Sequence, residues 1–314
     1  KKLKSIMHGL LINIATAILV LIFKYEFSDN LRSLGQRFIR PKYPFNTIVQ
    51  RDLVCHTPNS PQNAIEMCLS PTDSNKQNIF LIGSSHVANF QPSIKSILEN
   101  YSSTNILYFV EHGFLNYIVG SYECPPELLP CLENSFEKHL SLLNKHLKAN
   151  DIVIFSISRD RIKIQEKSSL PRISSLEKIN SLKNKILIMN NIISKKKAYL
   201  FLVDAIPLTC KPKDNINFLT EINIRGEIKK CSTERVLSLK DRHEMTQTYL
   251  YLRDKEENII YIDFHDLLCS DNYCNLVDEK NNLIYQDSRG HFNKANSYYL
   301  RKNWSEILKE YIIE

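Results

Sequence analysis

Two short segments near opposite ends of the chain carry the residue types that nucleophilic catalysis by serine requires. The first is the Gly-Ser-Ser-His sequence at 83–86, which directly follows an apolar run of strand length. A serine at a strand-to-helix turn has its hydroxyl at the edge of the sheet, close to helix N-terminal amides that can bind an oxyanion. Ser85 is therefore the candidate nucleophile. Equally, Ser84 or Ser85 could be a plain N-cap of the following helix, a position that serine favours.

The second segment supplies a candidate base. A serine hydroxyl is weakly nucleophilic until a base removes its proton, and an imidazole base needs a carboxylate to hold its tautomer. Asp287 and His291 provide these two groups on one loop near the C-terminus. A neighbouring Asp and His are also typical of an ordinary surface turn. It is the presence of both segments in one chain that favours a Ser/His site.

The elements that would position these residues alternate between strands and helices. Five apolar runs rich in Ile, Val, Phe and Tyr have strand length, namely 78–82, 105–110, 151–157, 198–203 and 258–262. Segments with helical spacing include 91–99, 135–149, 176–193 and a last helix over about 294–311. This alternation predicts an α/β fold: a flavodoxin-like three-layer α/β/α sandwich with a mostly parallel sheet, in which ligands bind at the C-terminal ends of the strands.

The eight cysteines fall into sequence-adjacent pairs: Cys55 and Cys68, Cys124 and Cys131, Cys210 and Cys231, Cys269 and Cys274. An even set of this kind suggests disulfides and hence an oxidising compartment. No pair has the Cys-x-x-Cys spacing typical of zinc or thioredoxin-like sites, so no metal is predicted. Buried free thiols are the alternative interpretation.

Residues 1–45 predict a membrane anchor followed by a juxtamembrane linker, with a second domain over 46–314. The anchor is an apolar run from Met7 to Phe23 that follows a basic start and is close to the shortest length that spans a bilayer. A signal peptide has a similar composition, but no small-residue cleavage site follows, which favours a retained anchor. Because the chain begins with Lys, we expect it to be the C-terminal part of a longer membrane protein.

Composition limits the class of partner. The formal net charge of +7 is spread over short runs such as Lys195 to Lys197 and is not gathered on one basic helix. This favours a solvated charged surface and argues against a nucleic-acid partner. Hydrophobic residues make up 43% of the chain, which is enough for a globular core and excludes a disordered or fibrous protein.

Taken together, the segments resemble the SGNH hydrolase/acyltransferase domain that is fused to acyltransferase-3 membrane domains. That family commonly has Gly-Asp-Ser-His after its first strand, then a paired-cysteine segment, a Tyr-x-Asp element and a histidine block before its last helix. Here 83–86 resembles the first block, Cys269 to Cys274 the paired-cysteine segment, and 285–287 with 291–293 the last block. The order along the chain is the same, and the resemblance extends from about Cys55 to the end.

The resemblance implies that Ser85 is the nucleophile, His291 the general base and Asp287 the orienting carboxylate. Two positions depart from the family pattern. Ser84 stands where the family has an aspartate. Asp287 lies four residues before His291, where the usual separation is three, so a Ser/His dyad without Asp287 is also open.

The superfamily also takes oxyanion donors from a glycine amide after the second strand and from an asparagine side chain after the third. Gly113 corresponds by position to that glycine. No asparagine follows the third strand, where Ser158 or Arg159 is the candidate substitute. The resemblance therefore implies that the backbone amide of Ser85 carries a larger share of oxyanion binding.

The function implied by the resemblance is an O-acyltransferase, specifically an O-acetyltransferase, acting through an acyl ester on serine. The acceptor would be a hydroxyl of a cell-surface glycan such as lipopolysaccharide O-antigen, and no cofactor or metal is implied. Implied partners are an acyltransferase-3 membrane domain on the same or a separate chain, an acyl donor, the glycan and the lipid bilayer. The catalytic domain would lie in the periplasm, anchored in a bacterial inner membrane. A carbohydrate esterase or deacetylase with the same site, and an inactive glycan-binding module, are the alternatives.

Overall fold

The structure is a computed structural model that describes residues 64–71, 73–99, 101, 103–110, 129–158, 175–207, 233–274, 284, 292 and 300–313. Its central sheet has five parallel strands: β1 (Gln77–Gly83), β2 (Thr104–Val110), β3 (Ile152–Ser156), β4 (Tyr199–Val203) and β6 (Ile259–Ile262). A separate antiparallel pair is formed by β5 (Thr233–Glu234) and β7 (Tyr273–Cys274). The five predicted strands are confirmed, and the small antiparallel pair is an addition that the sequence did not predict.

The strand order in the large sheet is β2-β1-β3-β4-β6. Every residue of β1 and β3 is buried, which explains why these strands are near-continuous apolar runs without polar alternation. Parallel neighbours need crossover connections, and the helices between successive strands provide them. This order is the flavodoxin-like arrangement that the alternation of strand and helix patterns predicts.

Eight helices surround the sheet among the described residues: α1 (Ala64–Leu69), α2 (Ser85–Ala88), α3 (Gln91–Leu98), α4 (Leu129–His146), α5 (Ser175–Lys195), α6 (Arg235–Lys255), α7 (His265–Leu268) and α8 (Arg301–Leu308). Helices α1, α4, α5 and α6 contact one another in series, whereas α3 contacts α8. Because crossovers between parallel strands are right-handed in nearly all proteins, this strand order places the two groups on opposite faces of the sheet. The α/β/α layering follows.

Sequence periodicity predicts α4 and α5 well but not α6. The predicted stripe of α5, including Leu182 and Ile186, is buried. Helix α6 also packs on the fold, but its buried positions include Ser238, Arg242 and Thr248 as well as apolar residues. Because three of the buried residues are polar, the apolar stripe is interrupted and the sequence pattern does not reveal the helix.

The predicted anchor from Met7 to Phe23 lies outside the described residues. Within the described part of the chain, none of the helices combines the length and apolar character that crossing a bilayer requires. The last predicted helix begins later than expected in the described structure, at Arg301, and ends at Leu308.

Candidate active site

The C-terminal ends of β1, β2 and β3 lie at the same level of the sheet. Gly83, the last residue of β1, pairs with Val110 of β2 on one side and with Ser156 of β3 on the other. From β1 the chain passes to β2 on one side, and from β2 it crosses over β1 to β3 on the other side. The connections therefore run in opposite directions on the two sides of the boundary between β1 and β3. This is the switch point at which open α/β sheets bind ligands.

A close approach of the β1 and β3 backbones requires glycine at the end of β1. Gly83 has φ +148°, and a Cβ atom there would lie 2.1 Å from the carbonyl oxygen of Ser156. The next residue continues the contact, because the N–H of Ser84 donates to that same oxygen at 3.1 Å. The turn therefore begins directly against β3, and only glycine fits where it begins.

The structure distinguishes the two serines of the turn. Ser84 is the N-cap of α2, and its Oγ accepts a hydrogen bond from the N–H of His86 at 3.2 Å. Ser85 is the first residue of that helix. The N-cap role that the sequence left open thus belongs to Ser84, and Ser85 occupies the following position at the edge of the sheet.

Ser158 lies at the same edge as the serine turn. It is two residues beyond Ser156, just as Ser85 is two residues beyond the paired Gly83. Adjacent strands are about 4.8 Å apart, and Ser158 is buried. This placement brings the candidate oxyanion donor and the candidate nucleophile to neighbouring strand ends.

The other predicted site residues, Gly113, Arg159, Asp287 and His291, lie outside the described residues. Phe292, the residue after His291, is described and makes a long-range hydrogen bond. Its N–H donates to Oδ1 of Asn89 at 3.0 Å. Asn89 directly follows α2 and is buried. A residue adjacent in sequence to His291 is therefore bound to the element that carries Ser85. Sequence reasoning did not identify Asn89, because the two bonded residues are 203 positions apart.

A charge cluster lies beyond the ends of β4 and β6, with Arg242 and Asp204 buried and Asp263 partly exposed. The sequence did not predict it. Arg242 of α6 donates to both carboxylate oxygens of Asp263 at 2.7 Å and to Asp204 at 3.2 Å. Asp204 also accepts from the hydroxyls of Thr246 and Tyr261, at 2.6 and 2.5 Å. The cluster fixes α6 to the C-terminal edge of the sheet.

The two carboxyl groups of this cluster have opposite pKa shifts. Burial raises the pKa of Asp204 despite the neighbouring Arg242. At Asp263 burial also acts to raise the pKa, but the hydrogen bonds and charge of Arg242 outweigh it and hold the pKa below its usual value. At Asp263 the interactions with Arg242 thus outweigh the effect of burial, whereas at Asp204 burial outweighs them.

Cys269 and Cys274 form a disulfide, as their adjacency in the sequence predicts. The Nε2 atom of the buried His265 lies 3.4 and 3.7 Å from the two sulfurs and 3.2 Å from the hydroxyl of Ser238. A zinc-type metal site would need both sulfurs as thiolates, but the sulfurs are bonded to each other. The group therefore fits a covalent staple between α7 and β7, not a metal centre.

Cys68 is disulfide-bonded as well. The side chains of the remaining cysteines of the predicted pairs lie outside the described residues, namely those of Cys55, Cys124, Cys131, Cys210 and Cys231. Disulfides in two regions of the chain agree with an oxidising compartment.

The parallel sheet and the serine turn at its switch point place this domain in the class of α/β domains that bind ligands at the C-terminal ends of the strands. Residues 54–306 match the family model described as an SGNH domain fused to AT3 domains. Because the match extends over more than half of the sequence, the chain belongs to this family. The family description also supports a membrane acyltransferase-3 domain as the partner.

One solved structure of another protein has a similar fold, and a second match is weaker. The periplasmic domain of a lipopolysaccharide acetyltransferase from Salmonella ser. Paratyphi A is 16% identical, with a TM-score of 0.55, and the match covers 84% of this chain and 98% of that chain. A protein described as an acylhydrolase from Bacteroides fragilis is 10% identical over 81% of this chain and 97% of its own, with a TM-score of 0.44. The first likeness shows the fold alone. No curated protein matches the sequence.

Proposed function

We propose that this domain is an O-acyltransferase that moves a short acyl group, in particular acetyl, to hydroxyls of a cell-surface glycan through an ester on Ser85. The observation that carries the proposal is the turn at the switch point, where Gly83 starts the turn against β3 and Ser84 caps α2. Serine and aspartate are about equally favoured at an N-cap. The replacement of the family's aspartate by Ser84 therefore leaves the helix capped and Ser85 in the nucleophile position.

Acyl transfer would proceed in two half-reactions. The oxygen of Ser85 attacks the acyl carbonyl carbon while His291 takes the hydroxyl proton, and the donor's leaving group departs with that proton. A glycan hydroxyl then attacks the carbonyl carbon of the serine ester while His291 takes the hydroxyl proton. His291 passes that proton to the Ser85 oxygen as the ester bond to serine breaks. Asp287 would hold the imidazole tautomer. Each half-reaction develops negative charge on the carbonyl oxygen.

Three groups are proposed to bind that oxygen: the N–H of Ser85, the N–H of Gly113 and the hydroxyl of Ser158. The register of β1 and β3 supports Ser158, since Ser158 and Ser85 follow paired residues by the same number of positions. A single oxyanion donor typically contributes about 2.7 to 4 kcal/mol of transition-state stabilisation. A serine at this position could replace the superfamily's asparagine as a side-chain donor.

The membrane context is part of the same proposal. Residues 1–45 would form the anchor and linker, and the disulfides at Cys68 and between Cys269 and Cys274 favour the periplasm for the catalytic domain. An AT3 membrane domain would deliver the acyl group from the cytoplasmic side. The Salmonella protein with the similar fold is a lipopolysaccharide acetyltransferase, which supports lipopolysaccharide O-antigen as the acceptor to test first.

The first experiment compares covalent labelling by a fluorophosphonate probe and hydrolysis of a small acetyl ester in wild type, Ser85→Ala and His291→Ala. The structure offers Ser84→Ala as a matched control, because Ser84 is the neighbouring serine with a capping role. We expect labelling and turnover to disappear in Ser85→Ala and to fall by several orders of magnitude in His291→Ala. Ser84→Ala should still be labelled, with about 1 kcal/mol less stability from the lost cap.

The outcomes distinguish the candidate functions. Labelling that depends on Ser84 and survives in Ser85→Ala would overturn the assignment of the nucleophile. A folded wild type that neither labels nor turns over would favour the inactive glycan-binding module. When wild type is labelled, mass spectrometry of products with an acyl donor and O-antigen decides between acylated glycan, which indicates the transferase, and free acid alone, which indicates the esterase.

A further inference from the structure

Asn89 connects two parts of the chain that carry the proposed nucleophile and base. Its backbone N–H caps the C-terminus of α2 by donating to the carbonyl of His86 at 3.1 Å. Its side-chain oxygen accepts the hydrogen bond from the N–H of Phe292 at 3.0 Å, and both partners are buried. Asn89 follows Ser85 by four residues in the sequence, so one short segment contains both the nucleophile and this acceptor.

The N–H that Asn89 holds belongs to the peptide group that joins His291 to Phe292. That group is planar, and its two Cα atoms are about 3.8 Å apart. Holding its N–H in a fixed direction therefore restrains the rotation of the backbone immediately after the proposed base. The hydrogen bond therefore restrains residue 291 through the covalent geometry of the peptide group.

Phe90 makes a second contact with Phe292. Its ring meets the ring of Phe292 edge-on, with centroids 6.4 Å apart. The Phe90 ring is itself fixed, because it also packs against Trp304 of α8 at 5.5 Å and against Phe264 at 5.8 Å. Two consecutive residues, Asn89 and Phe90, thus contact the backbone and the side chain of Phe292.

We propose that Asn89 is a positioning residue for the general base of the acyl-transfer reaction, acting through the backbone of Phe292. The inference rests on the proposed Ser85–His291 chemistry. Proton transfer requires the imidazole within about 2.6 to 3.2 Å of the serine oxygen, and a displacement of 1 Å can lower the rate by about a hundredfold. The hydrogen bond from the N–H of Phe292 to Asn89 links the segments that carry these two groups, so its loss would allow their separation to change.

The two variants that test the role differ in whether residue 89 has a side-chain oxygen that can accept the hydrogen bond. Asn89→Leu removes the acceptor oxygen at similar volume, and Asn89→Asp keeps an oxygen at the same place. Asn190 gives a matched control: it is also buried and hydrogen-bonded through its amide to Glu256 and Asn258. Asn258 precedes β6, so Asn190→Leu disrupts a buried asparagine at the opposite edge of the sheet from the serine turn.

We measure kcat and KM for acetyl-ester hydrolysis by the full chain, and the rate of fluorophosphonate labelling. Asn89→Leu is expected to lower kcat and the labelling rate by roughly tenfold to a hundredfold while KM stays within about twofold. Asn89→Asp should recover most of the loss, and Asn190→Leu should lower thermal stability but leave kcat unchanged where it is folded. If Asn89→Leu does not fold, Asn89→Ala replaces it, since a smaller side chain removes the acceptor without a steric clash.

Three results would overturn the positioning role while leaving Ser85 chemistry intact. The first two are wild-type kcat in Asn89→Leu and equal losses of kcat in Asn89→Leu and Asn89→Asp. A loss of kcat in Asn190→Leu equal to that in Asn89→Leu would also overturn it, because the effect would then be general destabilisation. A folded wild type that is not labelled at Ser85 overturns the proposed function itself. The labelling of wild type therefore separates failure of this inference from failure of the underlying chemistry.

Discussion

Replacing Gly83 with alanine tests whether the close approach of β1 to β3 is needed to build the serine turn. The new Cβ atom would lie 2.1 Å from the Ser156 carbonyl oxygen, and the φ of +148° is one that residues with a side chain rarely adopt. The nearest atom belongs to the backbone, so no side-chain rotation can relieve the clash. Either β1 and β3 separate locally, or the φ of residue 83 changes and moves the turn.

The expected cost follows from two terms. A residue with a Cβ in a glycine-only backbone region costs about 1 to 3 kcal/mol. Displacing the Ser156 carbonyl also weakens its hydrogen bond from the N–H of Ser84, which is worth about 0.5 to 1.5 kcal/mol. The sum is about 1.5 to 4.5 kcal/mol. For a domain of this size each kcal/mol lowers Tm by roughly 2 to 4 °C, so Gly83→Ala should lose roughly 3 to 18 °C.

The assay combines urea unfolding, followed by far-UV circular dichroism, with the rate of fluorophosphonate labelling at a temperature where the variant is folded. Ser156→Ala is the matched control, because the Ser156 hydroxyl is buried without a hydrogen-bond partner among the described residues. We expect Ser156→Ala to cost less than about 1 kcal/mol. Adding Ser156→Gly to Gly83→Ala should not restore stability, because the clash is with the main chain. A loss below about 0.5 kcal/mol in Gly83→Ala would refute the reasoning.

Two further predictions concern polar groups with buried members. Arg242→Met leaves Asp204 and Asp263 without their cation and should lower the free energy of unfolding, measured by urea unfolding, by about 3 to 5 kcal/mol. The control is Arg253→Met, which breaks an exposed ion pair and should cost at most about 1 kcal/mol. Similar losses in both variants would contradict the role of the cluster. Burial, followed by the charge of Arg242, lowers the pKa of His265 from 6.5 to about 4, so between these pH values the unfolded chain binds a proton that the folded chain does not. The contribution of His265 to the free energy of unfolding is therefore complete above pH 6.5 and is lost as the pH falls towards 4. The largest loss expected is about 2 to 4 kcal/mol. The same pH titration of stability in His265→Gln should lack this component, and an unchanged slope would show that His265 is not its source.

Much of the fold could be predicted from local sequence patterns. The five strands of the sheet are apolar runs, and β1 and β3 are buried along their whole length. The stripes of α4 and α5 have the spacing of a helix that packs on one side. The Cys269–Cys274 bridge joins cysteines only five residues apart, so adjacency was enough to predict the pair. These features depend on residues close together in the chain.

Helix α6 and the charge cluster that it contributes to could not be predicted in the same way. Arg242 and Asp204 are 38 residues apart, and Arg242 and Asp263 are 21 apart. In the sequence each resembles an ordinary surface charge. Their proximity depends on the order of β4 and β6 in the sheet, which brings the residues after both strands next to the same helix.

The sequence by itself determined the chemistry available: a serine pair after a buried strand, a distant Asp and His, and cysteines in adjacent pairs. Only the tertiary structure decided how that chemistry is arranged. The hydrogen bond to His86 makes Ser84 the cap and leaves Ser85 at the first position of α2. The bond from Phe292 to Asn89 spans 203 residues. Local patterns report the conformation of a segment, whereas the pairing of segments far apart depends on the free energy of the whole packed chain.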